Sequence, residues 1–586
     1  MTKHRVRIIP DNIELMVDDN TTLKENFNAN GIDFEFPCGG MGVCKRCKVK
    51  IVRPNGFEEE VLACQHRVKE NLTVEIQRRE EKHNILAEGL EREVTLDPLV
   101  KKLYLELPKP TLEDNADDWS RLVGKGRLSP SLKVVQQLPE MLRENDFKVT
   151  VVISDDKVVA VESQDTTSKL LGFAFDIGTT TIAGYLIDLK TGKEIAKTST
   201  LNPQIKFGAD VISRINYAKT SGGLERLHGE IIKEINNLIE KTVDQLGYKP
   251  SDIYVLTVAG NTTMHHLFLN IQPQYLSSTP YVPVVSEPMI LDASEIGIKI
   301  NPAGKVYMFP NIAGFVGGDT VAASLTAEMD KADKLTLLID IGTNGEMVLG
   351  TKDNLLSCST AAGPAFEGVE IKCGMRGTTG AIDHISIDNE FKYTVIGDAL
   401  PRGIAGSGIV DVVAELLKIG IVNEKGRILK PEEIDHPIGK KYRDRIKEID
   451  GILSFVIETN TATGEPIYIS QKDVRELQLA KGAIAAGIQV LLKTYGAKVE
   501  EIEQVYLAGA FGNYLSEASV CKIGLIPPEL EGKIKGIGNA AGAGAKLTLL
   551  SKEEYRRAVS LSRKIRYIEL SAHPDFRGIF FNKMNF

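Results

Sequence analysis

The sequence predicts a multidomain α/β protein, and three observations carry that expectation. The chain has 586 residues, too many for one hydrophobic core. Four of its seven cysteines, Cys38, Cys44, Cys47 and Cys64, crowd into one early stretch, while the other three are scattered. A hydrophobic run broken once by D-I-G-T and then resumed occurs twice, at Asp176 and again at Asp340. The first observation requires several domains, the second marks a small metal-binding unit at the N-terminal end, and the third marks a large duplicated one.

Composition narrows the function class. Hydrophobic residues make up 42% of the chain and charged residues 26%, the mix of an ordinary globular protein. A formal net charge of −8 argues against a nucleic-acid surface. No run of eighteen apolar residues is present, so no membrane-spanning helix is expected. "MTKHRVRIIPDNIEL" has no apolar signal segment, which gives a cytoplasmic protein as the expectation. In a reducing cytosol, clustered cysteines are metal ligands more often than disulfides.

The four cysteines are spaced C-x5-C-x2-C, then sixteen residues, then C. Thiolate sulfur suits an iron–sulfur cluster or zinc. A zinc ribbon shows two C-x2-C knuckles, and only Cys44 and Cys47 form one. The spacing is one residue from the plant-type ferredoxin pattern. Gly39, Gly40 and Gly42 suit a loop that wraps a cluster closely. "HRVRIIPDNIELMVDD", "KRCKVKIV" and "NLTVEIQ" read as strands; "TTLKENFNANGI" reads as a helix with a threonine cap and an Asn-Gly stop. This order resembles the β-grasp ferredoxins, and the resemblance implies a [2Fe–2S] cluster on Cys38, Cys44, Cys47 and Cys64. Zinc and unligated cysteines are the alternatives. Cys358, Cys373 and Cys521 read as small buried hydrophobes. Lys45, Arg46 and Lys48 read as a solvated face, with an acidic partner as the second reading.

The expected organisation is a ferredoxin-like domain over 1–78, a charged linker over 79–97, a small α/β module over 98–167 and one large α/β unit over 168–586. The small module holds "LVKKLYLELPKP", a polar stretch with the single tryptophan, Trp119, a short helix at "SLKVVQQLPEMLREN" and strands in "FKVTVVISDDKVVAVE". None of these residues points to chemistry.

In the large unit each D-I-G-T reads as a β-hairpin whose turn is open to an anion. Gly178 and Gly342 let backbone N–H groups point at phosphate, and Thr179 and Thr343 add hydroxyls. Thr180, Asn344 and Gly345 complete the two turns. Asp176 and Asp340 would face Mg²⁺, most simply through water, because Mg²⁺ keeps several waters and takes few carboxylates. In "FVGGDT", Gly317 and Gly318 precede Asp319, which reads equally as a carboxylate near the γ-phosphate and as a helix cap. In "EQVYLAGAFGNYL", Gly509, Ala510 and Gly512 leave room for a base and ribose. "GIAGSGIVDVVAELL" and "GIGNAAGAGAKLTLL" read as glycine loops that feed helices. Glu367 in "GPAFEG" is left outside the catalytic set, and His265 and His266 read as packing residues, since neighbours on a helix diverge by about 100°. There is no P-loop signature.

Two phosphate hairpins from duplicated halves with a late adenosine loop resemble the acetate and sugar kinase, chaperone and actin superfamily. That resemblance, over about 172–586, implies ATP and Mg²⁺ between two related lobes. Joined to a [2Fe–2S] domain, the whole chain resembles the reductive activators of corrinoid-dependent proteins. "AGNTTMHHLFL", "PNIAGFVGGDTVAA", "STAAGPAFEG" and "ELSAHPDFRGIFF" carry this further likeness. It implies an electron passed through the cluster to the Co(II) corrinoid of a methyl-carrier protein, regenerating Co(I), with ATP hydrolysis coupled to the uphill step. The implied partners are that corrinoid protein and a low-potential donor such as a ferredoxin or flavoprotein; a homodimer is left open. Asp340, Asp176 and Asp319 are the implied catalytic carboxylates, with no base assigned. Two rival expectations stand beside it: a small-molecule kinase with an accessory cluster, and a redox-sensing switch.

Overall fold

A computed structural model describes the chain except residues 1–2, 11–12, 33, 35, 37–39, 41, 43–46, 77–91, 93, 125–127, 369, 389 and 513, and the side chains of 364, 510 and 511. Cys38, Cys44, Lys45 and Arg46 therefore lie outside the described residues, as does most of the expected linker.

The N-terminal sheet contains β1 (Lys3–Ile9), β2 (Ile13–Asp18), β3 (Lys48–Val52), β4 (Glu58–Leu62) and β5 (Leu72–Glu75), in the order β2-β1-β5-β3-β4. The central pair, β1 and β5, is parallel and the other pairings are antiparallel, which is the β-grasp arrangement. Val6 and Ile8 face inward from β1, and Leu23 and Phe27 meet them from the helix Leu23–Ala29. Thr22 caps that helix in a capping box with Glu25.

The small module forms a sheet of β6 (Val100–Glu106), β7 (Ser129–Pro130), β8 (Lys148–Ser154) and β9 (Lys157–Ser163), ordered β6-β8-β9-β7. Its helix Leu132–Glu144 buries Val134, Leu138 and Leu142, spaced for one face. Just before this module the chain is tied to the far end of the protein. Arg92 pairs with Glu554, and the Asp97 N–H donates to Leu550 O at 3.0 Å.

The large unit is two lobes of one topology. The first contains β10 (Leu171–Ile177), β11 (Thr181–Asp188), β12 (Lys193–Leu201), β13 (Ile253–Gly260), β14 (Met289–Asp292) and β15 (Lys305–Met308). The second begins with β16 (Thr336–Ile341), β17 (Gly345–Thr351) and β18 (Asn354–Thr360). Two three-stranded sheets follow as an insertion: β19 (Ala381–Ile387), β20 (Phe391–Val395) and β21 (Gly403–Ile404), then β22 (Ile446–Ile449), β23 (Ile452–Glu458) and β24 (Ile467–Ser470). The chain then returns to the lobe as β25 (Gln504–Ala508), β26 (Ile534–Gly538) and β27 (Ile565–Tyr567).

The two large sheets are ordered β12-β11-β10-β13-β15-β14 and β26-β25-β16-β17-β18-β27. In each, a three-stranded antiparallel meander gains a parallel strand beside its first member. Asp176 lies opposite Ala183 and Ala259, and Asp340 opposite Glu346 and Ala508, so the two aspartates hold equivalent positions.

Helices Gly318–Thr326 and Ala540–Leu550 pack tightly together beside these sheets. A side chain at Gly544 would come within 2.2 Å of Ala322 O, which explains the Gly/Ala-rich text of the second helix. Thr326 Oγ1 donates to Ala540 O and Thr257 Oγ1 to Ala545 O, both at 2.8 Å, fixing this packing against the first sheet.

Candidate functional site

The first D-I-G-T turn is held from its carbonyl side. Asn202 Nδ2 donates to Gly178 O at 2.8 Å, and Asn202 N–H donates to Thr180 O at 2.9 Å. The Arg214 guanidinium donates to Thr179 O, and also to Gly208 O at 2.9 Å and Gln204 Oε1 at 3.2 Å. Trans peptide planes then direct the N–H groups to the opposite side, the face a phosphate can use. Arg214 is fully buried and forms no ion pair among the described residues. Burial pushes its pKa down to about 9, against the attraction of Asp210 and Glu367. Asn261, the cap of helix Thr262–Phe268, donates to Thr179 Oγ1 at 2.9 Å.

In the second turn Gly342 N–H donates to Asn344 O at 2.9 Å. A side chain at Gly342 would meet nothing closer than Asn344 O at 3.9 Å, so open space lies in front of this turn. Gly509 is the opposite case. It has φ +91°, and a Cβ there would sit 2.7 Å from Ile341 O and 2.8 Å from Asp340 Oδ1. Only glycine lets the helix Gly509–Gly512 approach Asp340 so closely. Gly512 makes only ordinary contact, with Leu507, and the Ala510 side chain lies outside the described residues.

Asp176, Asp319 and Asp340 form one electrostatic group. Burial and the Asp319 charge push Asp176 up to about 7, against a hydrogen bond from Asn539. Burial, then Asp319 and Asp176, push Asp340 up to about 7 as well. Burial pushes Asp319 up to about 6, while its bonds to the Thr320 backbone and hydroxyl oppose the shift. Of its two expected roles the cap is not observed: Gly317 is the cap, and Asp319 lies in the first turn, where its Oδ1 accepts from Thr320 N–H at 2.7 Å. Gly317 and Gly318 are closely packed. Cβ atoms there would come within 2.5 Å of Thr262 N and 2.7 Å of Phe309 Cβ.

Glu346, across the sheet from Asp340, is raised well above the carboxylate range by burial, Asp319 and Asp340. These repulsions favour a bound cation. Among the described residues no three His, Cys, Asp or Glu side chains are placed to hold an ion directly.

Sequence reasoning missed three residues and set a fourth aside. Glu346 stands six positions after Asp340 in the motif itself, so its signal was present. Asn202 and Arg214 reach the first turn from a distant segment. Glu367 was set aside, yet Thr180 donates to its Oε2 at 2.9 Å and Thr343 to its Oε1 at 2.6 Å, so one carboxylate is held by both turns.

His266 is a packing residue with satisfied nitrogens. Its Nδ1 lies 2.7 Å from Thr262 O, and its Nε2 accepts from Val284 N–H at 3.0 Å. Among the described residues His265 is buried with no hydrogen-bond partner on either ring nitrogen, and burial pushes it down to about 3.

At the N-terminal end Cys47 and Cys64 are buried with their sulfurs 3.2 Å apart. The Ala63 N–H donates to Cys47 O at 2.8 Å, which locks the two segments together. Gln65 Nε2 donates to Gly40 O at 3.1 Å and lies 3.8 Å from Cys64 Sγ. Two converging buried thiols beside a glycine loop fit the donor set of an iron–sulfur cluster. Cys358 and Cys521 are buried and Cys373 is half-buried, each packed in or against the second lobe's core.

Duplicated lobes with paired D-I-G-T turns, behind a β-grasp unit with adjacent buried cysteines, define the class: an actin-like nucleotide-binding ATPase joined to a [2Fe–2S] domain. Comparison with known families agrees along the chain. Residues 6–69 match the 2Fe-2S iron-sulfur cluster binding domain, 89–168 the RACo linker region, 171–332 the RACo middle region, and 334–586 the C-terminal domain of RACo, the ASKHA domain. The chain is 36% identical over 573 residues to the corrinoid activation enzyme RamQ of Eubacterium limosum, covering 96% of each. It is 26% identical to the [Co(II) methylated amine-specific corrinoid protein] reductase of Methanosarcina barkeri, over 71% of this chain and 77% of that protein. A solved reductive activator for corrinoid, iron-sulfur protein matches with TM-score 0.76 and 37% identity, over 99% of this chain and 98% of that one. The chain belongs to the RACo family.

Proposed function

We propose that this protein is an ATP-dependent reductive activator. It passes an electron through its [2Fe–2S] domain to the Co(II) corrinoid of a methyl-carrier protein and regenerates Co(I). The observation that carries this reading is the union, in one chain, of a ferredoxin-like unit and a complete pair of phosphate turns. Relatives that match at full length carry names for the same task.

When bound, the cluster supplies one electron at a time from a low potential, about −400 mV for plant-type clusters. Cys47 and Cys64, with Cys38 and Cys44 completing the spacing, would hold it. Each further 100 mV uphill costs about 2.3 kcal/mol per electron, and nucleotide hydrolysis is the available source. In the ATPase unit, Asn202 and Arg214 fix the first turn so that its amides face phosphate, and Gly342 keeps the second turn open. Asp176, Asp319 and Asp340 would orient Mg²⁺ through its water shell and align the attacking water. Gly509 brings the adenosine-side helix against Asp340, so that base binding and phosphate geometry are set together. A low-potential ferredoxin or flavoprotein of the reducing cytosol fits as donor.

The test is reduction of a purified Co(II) corrinoid protein, followed by its absorbance under a low-potential reductant, with and without MgATP. The proposal requires Co(I) to accumulate only with ATP. Equal reduction in both samples would leave the ATPase unit without the assigned role.

A further inference from the structure

Each oxygen of the Glu367 carboxylate accepts a hydroxyl from a different lobe, Thr180 on one side and Thr343 on the other. A phosphate oxygen makes the same demand on these hydroxyls as a carboxylate oxygen does: both are anionic acceptors, and charge-assisted bonds of this kind are strong. The buried Arg214 lies behind the first turn with neutral acceptors as its hydrogen-bond partners, and Glu367 and Asp210 are the charges that support it. An anion in front of this turn is therefore favourable, and Glu367 provides one.

We propose that Glu367 is a resident anion in the phosphate site, bound to both turns in place of phosphate, and that an incoming nucleotide must displace it. This inference rests on the assignment of the two turns as the ATP site. Triphosphate and carboxylate cannot share the same hydroxyls at contact distance without like-charge repulsion. Ala365 and Phe366, 2% and 1% exposed, anchor the turn Pro364–Glu367 in the core of the second lobe. The carboxylate therefore leaves by rotation about its own side-chain bonds, and the backbone stays. Its departure removes one direct link between the lobes, so phosphate occupancy alters how they are joined.

The test is calorimetric titration of the full-length protein with a non-hydrolysable ATP analogue and Mg²⁺, comparing wild type with Glu367→Gln and Glu367→Asp. The amide has no charge, and the aspartate is one methylene too short to reach both threonines. Displacement predicts that Glu367→Gln binds about tenfold tighter than wild type, equivalent to about 1.4 kcal/mol, with Glu367→Asp in between. Thermal unfolding checks that each variant folds, and if the glutamine variant does not, the aspartate variant decides alone. Equal or weaker affinity overturns the proposal. Loss of hydrolysis at unchanged affinity also overturns it and would make Glu367 a water-activating base. A wild type that binds no nucleotide refutes the ATP-site assignment itself, and this inference with it.

Discussion

Replacing Gly509 with alanine isolates its close approach to Asp340, because the chain contains a matched control. Gly509 and Gly496 have φ of +91° and +84°, so alanine meets the same backbone penalty at both, roughly 1–2 kcal/mol. At Gly496, the stop of helix Gln471–Tyr495, a new Cβ meets nothing within 4 Å. At Gly509 it would lie 2.7 Å from Ile341 O and 2.8 Å from Asp340 Oδ1. Ile341 is held in the β16–β17 pairing and cannot retreat, so the glycine loop or the aspartate must move. Restoring ordinary contact takes a shift of about 0.7 Å, and misplacement on the order of 1 Å can cost about a hundredfold in rate. We expect Gly496→Ala to lose about 1–2 kcal/mol in denaturant unfolding, and Gly509→Ala to lose more because its Cβ adds a clash. Only Gly509→Ala should also lose ATP hydrolysis, by roughly tenfold to a hundredfold. Hydrolysis in Gly509→Ala equal to that in Gly496→Ala would show that this approach to Asp340 does not set the catalytic geometry.

Gly342→Val should leave thermal stability nearly unchanged, since its Cβ faces open space, yet abolish nucleotide binding measured by fluorescent ATP displacement. Cys64→Ala should remove the visible iron–sulfur absorbance while ATP affinity stays within about twofold, because the two sites belong to separate cores. Lys481 gives a pH prediction. Burial, with Lys583 adding to it, pushes its ammonium down to about 7, whereas an unfolded lysine keeps its proton to about 10.4. Between roughly pH 7 and 10 the unfolded chain therefore binds more protons, and stability rises with pH. Lys481→Met should flatten that rise in unfolding experiments across the window.

The parts legible in the sequence were those whose residues are contiguous. Each D-I-G-T turn, the glycines before Asp319 and the Gly/Ala helix are local patterns, and a local pattern keeps its meaning until packing contradicts it. β4 was not read, because Glu58, Glu59 and Glu60 break any hydrophobic alternation. It is an edge strand, and those glutamates pair with Lys50, Arg53 and Lys48 across or beside the ladder. Asn202, Arg214 and Glu367 were illegible for a different reason. Their chemistry is ordinary in isolation, and only folding brings Glu367 to a threonine 187 residues away. The ambiguity of Asp319 had the same origin: a cap and a site carboxylate look alike in one dimension, and the backbone of Gly317 removes the cap.

The central claim is that ATP drives the electron from cluster to cobalt, and a single-turnover experiment tests it most directly. The protein is reduced by one electron, freed of excess reductant, mixed with a Co(II) corrinoid protein, and then mixed rapidly with MgATP. Cluster and cobalt absorbances are followed in the same sample. Before ATP, the account predicts a reduced cluster beside Co(II); after ATP, the cluster should oxidise and Co(I) appear with one time course and equal amplitude. Co(I) formed at the same rate before ATP is added, or formed after it while the cluster stays reduced, would contradict the account.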